Sequence, residues 1–355
     1  MSWTAAVHGS GDVPRPRVGY LCSYTPVEIV SAAGLQPVRL LNADGAEGAR
    51  GFLPATVCPY LKGCFGSALT MSHGSLDGVV VALGCDGLRR VADLWSSYLP
   101  GFVYRLDVPR HSTEAAVRFL RTQFLQLARF LAERHGLPAS DDALNEAIVQ
   151  YNETRRLLAD LDDMRQDGLC LPAKEMPDVI ERAFGEPPSR FNPWLQEYIA
   201  QLHGPVSSDN RIPLVVAGNV LAVADRKILQ LVEEAGARVA GDNLCGGMRG
   251  ALGETPPSKD PYEALARRYL QRVPCPRMAD LPDRFSDLVN LCRRTGARGV
   301  LYLSQKFCDL SLHEFAALRL RLQREEIPFL LLELDSGAAA LGQARTRIEA
   351  FLEML

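Results

Sequence analysis

Short apolar runs alternate with amphipathic stretches in the first third of the chain, give way to continuous amphipathic sequence in the middle, and return in the last third. The runs Val18–Cys22, PVRLL at 37–41, Gly78–Gly84 and Phe102–Val108 have strand length, and several are rich in β-branched residues. Between them, VEIVSAAG after Pro26 carries apolar residues at helical spacing and stops at Gly34. Further helices are expected from Pro59, where proline suits the first helical position, and over Leu88–Tyr98. Strands that alternate with helices predict a parallel sheet with right-handed crossovers.

The middle reads differently. STEAAVRFLRTQFLQLARFLAERHG (112–136) and SDDALNEAIVQYNETRRLLADLDDM (140–164) are long, amphipathic and separated by Gly136 and Pro138, with Ser140 or Asp141 as the cap. Pro187, Pro188 and Pro193 are expected to punctuate the end of this helical part. From Arg211 the alternation resumes. PLVVAG, ARVAGD, GVLYLS and PFLLLEL read as strands, while ADRKILQLVEEAG, PYEALARRYLQR, 282–294, SLHEFAALRLRLQRE and TRIEAFLEML read as helices. The pattern divides the chain into an N-terminal α/β lobe (1–110), a helical insertion (111–205) and a C-terminal α/β lobe (206–355).

Composition narrows the function classes. A chain of 355 residues that is 47% hydrophobic with net charge −3 is neither disordered nor built for nucleic acid. No apolar run approaches membrane-span length, and MSWTAAVHGSGDVPRPR lacks the cationic start and apolar core of a signal peptide, so the expected compartment is the cytoplasm, without membrane contact. Nine cysteines in such a chain are an unlikely disulfide framework, and none forms a CxxC pair, which removes the usual support for zinc-ribbon, thioredoxin-like and ferredoxin-type readings.

Position singles out Cys58, Cys85 and Cys308. Each falls where a segment turns into a helix, in CPYLKG, GVVVALGCDGLRR and GVLYLSQKFCDL respectively. A helix N-terminus favours the thiolate, the form that binds iron or zinc. The competing assignment for each is a buried core thiol, the commoner fate of a free cysteine. Cys22 and Cys245 also follow strand ends, where ligands gather in open α/β sheets. Cys275 lies in VPCPRM, and Cys64, Cys170 and Cys292 read as bystanders.

The ordered segments TPVEIVSAAGLQPVRL, CPYLKG, GVVVALGCDGLRR, AIVQYNETRRLL, VAGDNLCGGMRG, ARRYLQRVPCP, GVLYLSQKFCD and ARTRIEAFLEML resemble a subunit of the 2-hydroxyacyl-CoA dehydratase and benzoyl-CoA reductase family, over most of the chain. The resemblance implies two Rossmann-like parallel-sheet lobes with a helical part between them, and one 4Fe–4S cluster in the cleft. Its ligands by motif are Cys58, Cys85 and Cys308, with one iron free of protein ligand. It implies anaerobic work on CoA thioesters: an electron placed in the thioester carbonyl gives a ketyl that expels the 2-hydroxyl and yields the 2-enoyl-CoA. It also implies two partners, a related second subunit in a heterodimer (the alternative being a homodimer) and an ATP-dependent iron–sulfur activator. The chain itself carries no GxxxxGK[ST] phosphate loop.

Other residues carry expectations of their own. Glu28, at a helix start after the first strand, is the candidate catalytic carboxylate, its pKa expected to rise on burial; the alternative is a solvated first-turn glutamate on the helix dipole. Asp86 and Asp309 are expected to cap helices. Arg249, Lys306, Arg345 and Arg347 are either contacts for CoA phosphates or salt-bridged residues, and Gly218–Asn219 would open a helix toward an anion. Within the resemblance the alternatives are a benzoyl-CoA reductase-type subunit, a double-cubane-cluster reductase drawing on Cys245 and Cys275, or an electron-relaying partner subunit. Outside it, the alternative is a plain α/β protein binding a nucleotide sugar or CoA.

Overall fold

The computed structural model describes residues 15–41, 43–136, 140–169, 171–202, 210–279, 281–335 and 338–355. The first lobe runs β1 (Arg17–Tyr20), α1 (Val27–Ala32), β2 (Gln36–Arg39), α2 (Pro59–Leu69), β3 (Gly78–Ala82), α3 (Asp86–Tyr98) and β4 (Phe102–Leu106). Four helices follow: α4 (Glu114–His135), α5 (Asp141–Gln166), α6 (Glu175–Gly185) and α7 (Pro188–Gln201). The second lobe runs β5 (Ile212–Gly218), α8 (Lys227–Glu234), β6 (Ala237–Asn243), the short α9 (Met248–Ala251), α10 (Pro261–Gln271), α11 (Leu281–Thr295), β7 (Gly299–Gln305), α12 (Asp309–Arg324), β8 (Phe329–Leu334) and α13 (Ala338–Glu353).

Both sheets are parallel. Their strand orders, β2-β1-β3-β4 and β6-β5-β7-β8, are the same pattern repeated. The expected pair of α/β lobes with helices between them is therefore the fold. In each sheet the order reverses beside the first strand of the lobe, which creates a crevice at the carboxyl ends of β1 and β3 and another at those of β5 and β7. The interior strands β3 and β7 are buried on both faces along their whole length, apolar except for Ser304 and Gln305 at the end of β7. Gly218 closes β5 at φ +134°, and a Cβ there would meet the Leu303 carbonyl oxygen of β7 at 1.9 Å, so only glycine fits.

Local signals fix the helix ends. Thr113 and Ser140 accept hydrogen bonds from Ala116 N and Ala143 N at the starts of α4 and α5, and Gly136 ends α4 in the left-handed conformation. The prolines at 187–193 act differently from expectation. Pro187 precedes α7, Pro188 is its first residue and Pro193 lies inside it, so they start a helix rather than close the helical part. The expected helix at Gly218–Asn219 is also absent: Gly218 is strand, and the next helical turn begins at Val223. Packing ties the parts together. Tyr262, Leu265, Ala266 and Tyr269 of α10 pack with Val117, Leu120 and Phe124 of α4 and Ile29 and Val30 of α1, in the core of the first lobe.

Candidate metal centre

Cys58, Cys85 and Cys308 are the residues immediately preceding α2, α3 and α12, and each carbonyl accepts the first helical hydrogen bond, from Lys62, Arg89 and Leu312 at 3.1–3.2 Å. Pro59 occupies the first helical position of α2, as its fixed φ favours. Cys85 and Cys308 hold the same topological place, since each opens the helix after the third strand of its sheet. Phe307, just before Cys308, is held at φ +62°, an unusual conformation for a bulky residue, of the kind that gathers at functional sites.

The three thiols share one electrostatic neighbourhood although they come from both lobes. Burial pushes the Cys58 thiol up to about 12; the Leu61 amide opposes this, and repulsion from Cys308 and Cys85 adds to it. Burial likewise pushes Cys85 up to about 11, opposed by the Leu88 amide and reinforced by Cys308 and Cys22. The expectation that helix N-termini hold these thiols as thiolates is thus corrected for Cys58 and Cys85. The helix amides do lower both pKa values, but desolvation in an apolar setting outweighs them. Cys58, Cys85, Cys22 and Cys245 all border a core formed by Leu21, Leu41, Leu61 and Leu83 of the first lobe with Val220 and Ala222 of the second. A direct backbone bond joins the lobes there, from Val223 N to the Leu41 carbonyl at 3.1 Å.

Among the described residues no three His, Cys, Asp or Glu side chains form a group that could hold a metal ion. A four-iron cluster holds its thiolates farther apart than a single ion does, so three thiols from separate loops that share one electrostatic neighbourhood beside an apolar core fit a cluster better than a closed ion site. Metal or cluster uptake must then displace protons from Cys58 and Cys85. Alkylation of the metal-free chain checks their state. Iodoacetamide rates at Cys58 and Cys85, followed by peptide mass spectrometry, are expected to keep climbing above pH 9, whereas an ordinary exposed thiol levels off near its pKa of about 8.5.

Cys22, Cys245 and Cys275 form a second group of thiols beside the first. Cys275 feels the charges of Cys245 and Cys22, and Cys245 Sγ lies 3.8 Å from Arg39 Nη2. Cys64, with Sγ 3.3 Å from the Leu40 carbonyl, and Cys292 are core residues; Cys170 lies outside the described residues.

Glu28 is fully buried as expected, but its pKa moves the other way. Desolvation raises it, and the combined charges of Arg155 and Arg268, with the hydrogen bond from Arg155, lower it more, so the group is a held carboxylate rather than a tuned acid. Its other oxygen accepts from the Tyr269 hydroxyl at 2.9 Å. Asp86 and Asp309 are first helical residues behind Cys85 and Cys308; neither is itself the cap. Lys306 pairs with Asp335 and Arg345 with Glu234, while Arg347 donates to the Leu331 carbonyl. Arg249 is buried, donating to the carbonyls of Gly218, Asn243 and Pro274. Beside Cys85 opens a pocket of about 440 Å³, walled by Gly84, Cys85, Asp86, Arg110 and Arg277.

Sequence reasoning missed Arg39, Arg155 and Arg268. A signal existed for Arg155: on α5 it continues the stripe of Ile148, Tyr151 and Leu158, a cation on an apolar helix face.

The profile of the 2-hydroxyglutaryl-CoA dehydratase D-component family matches residues 22–355. The putative dehydratase subunit YjiM of Escherichia coli is 28% identical, over 96% of this chain and 91% of that protein. The beta subunit of (R)-phenyllactyl-CoA dehydratase from Clostridium sporogenes is 25% identical, over 95% of this chain and 91% of its own length. A benzoyl-CoA reductase subunit from Thauera aromatica is 22% identical, over 97% and 92%. With its two like-ordered lobes and nearly its whole length covered, the chain belongs to the 2-hydroxyglutaryl-CoA dehydratase D-component family.

Proposed function

We propose that this chain is the iron–sulfur subunit of a 2-hydroxyacyl-CoA dehydratase, with Cys58, Cys85 and Cys308 holding one 4Fe–4S cluster between the lobes. The observation that carries this reading is that those three thiols, at the starts of three helices from both lobes, lie close enough to bear on one another electrostatically. When bound, the cluster would supply an iron open to an oxygen ligand and a store for single electrons. Removing water from a 2-hydroxyacyl-CoA breaks the C2–O bond and one C3–H bond with no net oxidation. An electron lent to the thioester carbonyl to expel the hydroxyl is therefore returned once the C3 proton has left.

The chain's own residues bind, orient and keep the site dry. The pocket beside Cys85 gives the thioester its approach, with Arg110 and Arg277 on its wall. Leu21, Leu61 and Leu83 with Val220 exclude water behind the thiols. Glu28 fixes Arg155 and Tyr269 and acts as a positioning residue. The three named relatives are each called a subunit, one of them a beta subunit, which supports pairing with a related second subunit. The chain has no P-loop to drive a low-potential electron, so a separate ATP-hydrolysing iron–sulfur activator is its electron source.

Anaerobic purification of the full chain tests the cofactor. The expected protein is brown, with about four irons and four sulfides per chain, and loses its colour in air while the far-UV helix signal persists, because large α/β cores stand without the metal. Colourless protein without iron, or loss of helix in step with colour, would remove the basis for this reading. Turnover of 2-hydroxyacyl-CoA by the chain with its partner subunit, in the absence of activator and ATP, would refute the radical route.

A further inference from the structure

Three guanidiniums line one small buried pocket, and one carboxylate answers them. The cavity, about 40 Å³, is bounded by Tyr20, Thr25, Arg39, Arg155, Arg268 and Tyr269 among others, and none of its lining residues is acidic. Arg39, Arg155 and Arg268 are 5%, 5% and 7% exposed. Arg155 pairs with Glu28, which sits behind the wall. Arg39 donates to the Cys245 carbonyl at 2.5 Å and lies over the Phe184 ring, 4.9 Å from its centroid. Arg268 donates to the carbonyls of Gly253 and Leu252. Among the described residues neither Arg39 nor Arg268 has a carboxylate within ion-pair distance, although Glu28 is near enough to favour the charge of Arg268. Burial and the neighbouring Arg155 push the Arg268 pKa down to about 9. Among the described residues, two polar atoms of residues that line the pocket, Arg39 Nε and Thr25 Oγ1, are buried without a hydrogen-bond partner.

Isolated buried charge is costly, and proteins pair it or neutralise it. Here the surplus is two guanidiniums on one cavity. We propose that this pocket is a binding site for a small carboxylate, seated between Arg39 and Arg268 with Thr25 as a further donor. Guanidinium forks match a carboxylate's two oxygens. The size fits as well: at roughly 10–15 Å³ for one water in this measure, the cavity takes about three heavy atoms, which suits a carboxylate and excludes a nucleotide. The carboxylate has two sources, a free anion or the far end of an acyl chain carried on CoA. The binding itself stands on the buried charges alone, and only the acyl-chain source rests on the dehydratase reading.

Calorimetric titration and thermal shift on the full chain, at low salt and pH 7.5, test the site with acetate, glutarate and glutaryl-CoA, and with acetamide and butyryl-CoA as uncharged controls. Saturable binding of acetate or glutarate without binding of acetamide, or binding of glutaryl-CoA at least about tenfold tighter than of butyryl-CoA, is expected. Acetate or glutarate alone identifies a free anion as the ligand; glutaryl-CoA alone identifies the acyl chain. Arg39→Met is expected to weaken the binding by at least about tenfold, the worth of one charge-assisted hydrogen bond. If that variant fails to fold, Thr25→Val should weaken the same binding severalfold. Equal response to carboxylates and neutral controls, no response to any carboxylate, or unchanged affinity in the folded variants would overturn the proposal. Loss of iron from Cys308→Ala protein leaves the carboxylate titration unaltered, which separates failure of this site from failure of the cluster assignment.

Discussion

Cys308→Ala protein, purified without oxygen, is expected to carry little of the iron found in the parent and to lose catalysis with partner, activator and ATP by more than about a hundredfold. Residues that merely support a metal ligand are worth 10–100-fold, so removal of a ligand itself sets a larger effect. The same loss is expected for Cys58→Ala and Cys85→Ala, because the three thiols bear on one another and none has a substitute in the first group. Cys292→Ala is the control: that thiol is buried in the core of the second lobe with Leu288 and Leu291, and its removal should leave iron per chain unchanged. Iron and sulfide analysis beside the visible spectrum gives the answer before any assay of turnover. Parent-like iron in Cys308→Ala would dismiss Cys308 as a ligand.

Arg155→Ala is expected to destabilise the metal-free chain by about 3–5 kcal/mol, because it strands Glu28 as a buried unpaired carboxylate. Urea denaturation of parent and variant measures the difference. The pH dependence carries a sign that identifies the cause. In the parent, Glu28 has a folded pKa below its unfolded one, so its contribution is present above the unfolded value and is lost as pH falls through the folded one. In the variant only Arg268 is left to oppose burial, and the folded pKa moves up. The penalty should therefore shrink as the solution is acidified below about pH 5 and the carboxyl takes up a proton. A penalty independent of pH would mean that lost packing, not lost charge compensation, weakens the variant. Arg155→Met with Glu28→Leu, which removes both charges, should recover much of the stability.

The parts that could be read from the sequence were those written in adjacent residues. Pro59 after Cys58, the buried run GVVVA before Cys85 and GVLYLS before Cys308 each state a local boundary, and the helices start where those signals lie. The thiols' surroundings were not local. Their pKa values depend on apolar groups that arrive from both lobes, and a helix terminus read by itself gives the opposite sign. Glu28 fails for the same reason: its controlling partner, Arg155, stands 127 positions away. Proline at 187–193 misled because the residue that ends one helix also suits the first turn of the next.

The helix α10 lies in sequence between β6 and β7 of the second sheet, yet its apolar face completes the core of the first lobe, and Tyr269 reaches the Thr25 carbonyl at 3.0 Å. The two halves are therefore not interchangeable modules. A chimera that joins the first lobe of this chain to the second lobe of a relative imports a foreign α10 into a core shaped around Leu265 and Tyr269. Recombination within the family has to carry Pro261–Gln271 together with α1 and α4, so the natural crossover points lie outside the visible boundary between the sheets.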